Sequence, residues 1–216
     1  MTKTHHPNRL RGLQTILWGA TAIAALAVGA ALLWRTDHVP AGSGTIMTGE
    51  AAILNDYHLT DHYGQAVTPE SYAGTWQMVF FGFTHCPDVC PMTLAYMSEV
   101  MDSLGSGAAH VTPIFITVDP ERDTIEVMNA YANAFHPALV GLTGTQAQVD
   151  TAARNFRVWH ERAEDETAPD GYTLIHTGYI HIMRPDGRFE DVIYEGGQTP
   201  ENFAERLSML IKKGSQ

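Results

Sequence analysis

Between Gln77 and Leu104 the chain runs from an unbroken apolar and aromatic stretch, QMVFFGF, through both of its cysteines to apolar residues recurring at Leu94, Met97, Val100, Met101 and Leu104. The first run suits a strand buried on both faces, and the second has the spacing of a helix with one apolar side. The pattern then repeats. VTPIFITV (111–118) predicts a second buried strand, and DTIEVMNAYANAF (123–135) and TQAQVDTAARNF (145–156) predict helices. Strands alternating with helices form βαβ units, because a parallel partner is reached only through a crossover. Later, HTGYIHIM and RFEDVIYE flank the turn sequence RPDG and predict a hairpin. TPENFAERLSMLIKKG predicts a last helix, with Thr199 as N-cap, Pro200 at its first position and Gly214 at its end. Together these elements predict an α/β, thioredoxin-like fold, a central mixed sheet flanked by helices.

A different signal precedes them. Residues 13–34 carry no charge for 22 residues, which as a helix at ~1.5 Å per residue spans the ~30 Å hydrocarbon core of a bilayer. The run is longer than the apolar core of a signal peptide, and no small-x-small site follows it. We therefore expect an uncleaved transmembrane anchor. Lys3, Arg9 and Arg11 precede it and only Arg35 follows. The positive-inside tendency then leaves residues 1–12 in the cytoplasm, in a single-pass protein of the inner (cytoplasmic) membrane whose domain faces the periplasm. Residues 35–50, rich in Gly, Ser, Thr and Pro, read as a flexible linker, and 51–214 as one domain. Beyond Arg35 the chain carries nine lysines and arginines against 24 aspartates and glutamates, and between Arg35 and Arg122 it has neither Lys nor Arg. Nucleic acid is excluded as a partner on charge.

Cys86 and Cys90 are the only cysteines, in FFGFTHCPDVCPMT. Pro91 belongs in the first turn of a helix, so the helix is expected to begin between Asp88 and Pro91. Residues four apart there have Cβ atoms roughly 5–6 Å apart, a spacing that permits a disulfide or a shared metal ion. A structural disulfide, a redox couple and half of a metal site all remain open at this point. Two thiolates alone do not complete a tetrahedral zinc site.

FGFTHCPDVCP, then VDPERDT (118–124), then YTLIHTGYIHIMRPDG (172–187), in this order behind one apolar segment, resemble the Sco/SenC family of copper chaperones. The resemblance covers nearly the whole expected domain. It implies a thioredoxin-like copper-binding domain that helps assemble the copper centre of cytochrome c oxidase, with Cys86, Cys90 and His176 as the metal ligands and a copper ion as cofactor. The implied partners are a copper-receiving oxidase subunit, an upstream copper donor and the membrane. One departure is Ile175, where the family often has an acidic residue. The chemistry is consistent, since Cu(I) is soft, prefers thiolate with imidazole and accepts low coordination.

Other residues receive plainer readings. Of the 11 histidines, His85 is expected to point away from Cys86, and His58 and His62 lie in a turn-rich tract with no metal role. Asp88 reads as capping or charging the helix start, and Asp119 as turn chemistry before Pro120. With no Lys or Arg nearby, only the helix N-terminus and the metal are expected to favour cysteine thiolates. RAEDETAPDGYT (162–173) reads as an exposed, mobile loop insertion that brings in His176. The chain is thus read as a carrier more than an enzyme. The alternative is a membrane-tethered thiol-disulfide oxidoreductase that reduces client cysteines before metallation. A peroxiredoxin-type peroxidase is disfavoured, because Phe83 and Pro87 stand where Thr or Ser would precede the reactive cysteine.

Overall fold

The computed structural model describes residues 53–194 and 196–214. The expected cytoplasmic segment (1–12), anchor (13–34) and linker (35–50) lie outside them. Among the described residues no helix is long and apolar enough to cross a membrane.

In chain order the elements are β1 (Leu59–Asp61), β2 (Ala66–Val67), β3 (Trp76–Gly82), α1 (Val89–Leu104), β4 (Val111–Thr117), α2 (Ile125–Asn133), β5 (Val140–Thr143), α3 (Gln146–Asn155), β6 (His160–Glu164), β7 (Tyr172–His176), β8 (Ile180–Met183), β9 (Phe189–Ile193) and α4 (Pro200–Gly214). The main sheet has the order β2-β1-β5-β4-β3-β8-β9. It is mixed: β3 pairs in parallel with β4, and β4 with β5, while the remaining pairs are antiparallel. The parallel pairs follow from the two crossovers through α1 and α2, as the alternation predicted.

Every residue of β3 is buried, which explains its unbroken apolar run. Phe80, Phe81, Phe83, Phe115 and Phe156 fill the core around it. Each such side chain contributes about 1.5–3 kcal/mol relative to exposure, so the end of β3 is a firm platform. Leu94, Met97, Val100, Met101 and Leu104 form the buried side of α1, which packs against α4.

Helix starts follow their caps. Thr199 Oγ1 accepts the N–H of Asn202 at 3.3 Å, and α4 begins at Pro200 as expected. The helix expected from Asp123 instead starts at Ile125, because Thr124 is the N-cap and its Oγ1 accepts the N–H of Val127 at 3.4 Å. Asp123 is thereby free to turn inward. A larger difference concerns 162–173. The expected loop insertion is a β-hairpin, β6 with β7, paired from His160↔His176 to Glu164↔Tyr172. Charged residues on both faces hid its strand character. The last block of the resemblance is therefore divided: Tyr172–His176 belongs to this separate hairpin, and Ile180–Met183 to the main sheet.

Candidate metal centre

The cysteine turn leaves the end of β3. Cys86 N–H donates to the carbonyl of Phe83 at 3.3 Å, and α1 begins three residues later at Val89. The helix thus begins inside the expected Asp88–Pro91 window and leaves Cys86 before it. Asp88 is the N-cap residue, yet its side chain makes no capping hydrogen bond. The sulfurs still converge, because the turn folds back: the N–H of Cys90 donates to Cys86 Sγ at 3.4 Å. Gly82 makes room for this. A Cβ there would lie 2.8 Å from Cys90 Sγ and 2.9 Å from Phe115 Cε2, so only glycine fits beneath the thiol.

His176 arrives from the end of β7. Its Nδ1 lies 3.1 Å from the carbonyl oxygen of Thr177 and its Nε2 lies 3.5 Å from Cys90 Sγ. A carbonyl only accepts, so Nδ1 carries a proton, and Nε2 is the nitrogen turned toward the sulfurs. Phe80 and Phe83 meet the ring edge-on, with centroids 6.2 and 5.9 Å away.

The two thiols are unequal. Cys90 is fully buried and Cys86 half-buried, and both are free. The hydrogen bond from Cys90 holds the Cys86 thiol down, to about 4, against the cost of its burial. The N–H groups of Asp88 and Cys90 assist. Cys90 moves the other way, since its proton is committed to Cys86 and its surroundings are apolar. Hydrogen bonds therefore supply what the missing Lys and Arg do not. Among the described residues, no three His, Cys, Asp or Glu side chains are yet closed into a metal-binding cluster.

Two aspartates, Asp123, read as the start of a helix, and Asp119, read as turn chemistry, brace this site. Asp123 is fully buried and accepts the N–H of Thr84 at 3.1 Å, Thr84 Oγ1–H at 2.5 Å and Thr117 Oγ1–H at 2.5 Å. Burial pushes its carboxyl up. It ties the cysteine turn to the end of β4. His85 leans the same way, with Nδ1 3.8 Å from Asp123 Oδ1. His62 is buried elsewhere, accepting the N–H of Gly141 at 3.0 Å, while His58 is exposed. Asp119, also buried, accepts Arg122 Nε–H at 2.6 Å and the hydroxyl of Tyr172 at 3.1 Å. VDPERDT itself supplies only Arg122 to Asp119; the other partners, Thr84, Thr117 and Tyr172, lie in the cysteine turn, β4 and β7. A fully buried carboxylate is tolerable only when hydrogen-bonded, and most of these donors come from other segments.

Residues 46–212 match the SCO1/SenC family. The chain belongs to that family. It is 38% identical over 210 residues to the human mitochondrial SCO1 homolog, covering 92% of this chain and 69% of that protein. It is 43% identical to the human SCO2 homolog and spans 58% of its length. Among solved SCO1/SenC structures, copper-bound ScoI of Bradyrhizobium japonicum superposes with a TM-score of 0.68 at 41% identity, covering 73% of this chain and 99% of that one. BsSco, a member of the Sco family of cytochrome c oxidase assembly proteins in which a disulfide switch was identified, gives a TM-score of 0.56 at 25% identity, covering 74% of this chain and 95% of that one.

Proposed function

We propose that this SCO1/SenC domain is a copper carrier in which Cys86, Cys90 and His176 hold one Cu(I) that is passed to the copper centre of cytochrome c oxidase. The carrying observation is the 3.5 Å approach of His176 Nε2 to Cys90 Sγ beside the favoured thiolate of Cys86. Two soft sulfurs and one imidazole with a bare nitrogen suit Cu(I), which needs no fourth ligand. Closing around the ion requires Cys90 to lose its proton, and the metal's own charge drives that loss. Anchored by residues 13–34 in the inner membrane, the domain faces the periplasm, takes copper from an upstream donor and meets an oxidase subunit as acceptor. The copper-bound relative and the Sco family's role in cytochrome c oxidase assembly support this reading.

The reduced, full-length protein loaded with Cu(I) should hold one copper per chain against a competing chelator. Stoichiometric retention by both Cys86→Ser and Cys90→Ser would overturn the assignment.

A second reading is favoured by the free thiol pair and the low Cys86 value. Cys86 and Cys90 form a reversible disulfide that excludes copper, and the oxidoreductase alternative uses that couple on client cysteines. Copper held only by the dithiol shifts the couple toward reduction, so the redox midpoint should move when copper is added. An unchanged midpoint would separate redox chemistry from metal binding.

A further inference from the structure

The hairpin that carries His176 lacks the support that fixes the cysteines. It shares no ladder with the seven-stranded sheet, and its residues are mostly half-buried or exposed. Tyr172, at the start of β7, is buried, and the contacts around it are unusually complete. Its ring lies between two guanidinium groups, with Arg122 Cζ 3.7 Å and Arg162 Cζ 3.4 Å from the centroid. Its hydroxyl donates to Asp119 Oδ1 at 3.1 Å, and its carbonyl accepts Arg122 Nη1–H at 3.3 Å. The cations are themselves paired, Arg122 Nε with Asp119 Oδ2 at 2.6 Å and Arg162 Nη1 with Glu121 Oε2 at 3.3 Å. Tyr172 is therefore gripped on both ring faces, at its hydroxyl and at its backbone.

The grip comes from the segment that also steadies the cysteines. Asp123 follows Arg122 directly and holds Thr84 in the cysteine turn, while Arg122 Cζ lies 6.0 Å from the Phe83 ring that meets His176. Tyr172 and His176 stand four residues apart on β7, so their side chains leave the same face of the strand. A hairpin pinned at Tyr172 and paired along its length places His176 at a set distance from Cys90.

We propose that Arg122, Asp119 and Tyr172 form a latch that positions His176 over the two sulfurs, and that its opening swings the histidine away and leaves copper on the cysteines alone for transfer. These are positioning residues, acting through His176. The proposal rests on His176 as a copper ligand.

The test is a double-mutant cycle on the full-length protein, read as the rate of Cu(I) loss to a chelator. If the latch works through His176, Arg122→Ala should speed copper loss by about threefold or more in the wild-type background. It should change the rate by less than about 1.5-fold when His176→Ala is already present, because coupled residues give non-additive effects. Arg122→Lys, which keeps the charge beside Asp119, should recover part of the loss. In the metal-free reduced protein, Arg122→Ala should speed amide exchange across residues 160–176 and leave β3 and β4 protected. Equal effects in both backgrounds, or unchanged hairpin exchange, would overturn the latch. If His176→Ala itself leaves copper loss unchanged, the ligand assignment fails, and the exchange arm still judges the latch. Should Arg122→Ala not fold, Tyr172→Phe removes only the hydroxyl to Asp119 and is read in the same way.

Discussion

The turn that carries Cys86 and Cys90 leaves a strand buried along its whole length, whereas His176 ends a strand whose side chains are mostly half-buried or open to water. The first region is fixed by bulk: phenylalanines pack around it, glycine alone fits beneath the Cys90 thiol, and Asp123 fastens the turn to β4. The second is fixed by a few polar contacts, chiefly those at Tyr172. Apolar packing is lost only when a region unfolds, while a handful of ion pairs and hydrogen bonds can open and close locally. A site built from both has sulfurs set in advance and a nitrogen that can come and go. That division suits a carrier, which must hold an ion firmly and then release it.

The comparison predicts unequal costs. The largest should follow removal of a sulfur: Cys86→Ser or Cys90→Ser is expected to weaken Cu(I) binding by at least about a hundredfold, roughly 2.8 kcal/mol, in competition with a chelator. A smaller loss would mean the turn is not the main holder. Next comes the platform itself. Gly82→Ala places a Cβ 2.8 Å from Cys90 Sγ, and overpacking of this kind costs typically ~1–3 kcal/mol. Thermal unfolding should fall by several degrees, and a variant as stable as wild type would show that the platform yields more than its packing implies.

His176→Ala should cost less, about tenfold in copper affinity or ~1.4 kcal/mol, with the fold intact and the disulfide potential nearly unchanged. Oxidase assembly in cells should nonetheless fail. A loss as great as that of a cysteine would erase the distinction between firm and movable ligands.

The smallest effect is expected from acid. The folded Cys86 value lies near 4, below that of an ordinary thiol, so the thiolate persists until the pH falls towards that value. Alkylation of the reduced, metal-free protein at Cys86 should slow by less than about threefold between pH 8 and 5.5, whereas a thiol of pKa ~8.5 slows more than about a hundredfold. Mass spectrometry should find the label on Cys86 and not on buried Cys90. A steep fall, or equal labelling, would show that the hydrogen bond between the thiols does not persist in solution.

The sequence by itself determined the strand, the cysteine turn and the helix at residues 77–104, both βα crossovers and the RPDG hairpin. These depend on hydrophobic period and turn residues, which are local. Through the family resemblance it also named Cys86, Cys90 and His176. Tertiary structure alone decided that Gly82 must be glycine, and that 160–164 pairs with 172–176 as strands despite the charges of the first. It alone turned Asp119 and Asp123 inward. The stability of a buried carboxylate lies largely in donors supplied by Thr84, Thr117 and Tyr172, and that of an exposed hairpin in what grips its one buried ring. Both are properties of contacts between segments, which no single segment of sequence carries.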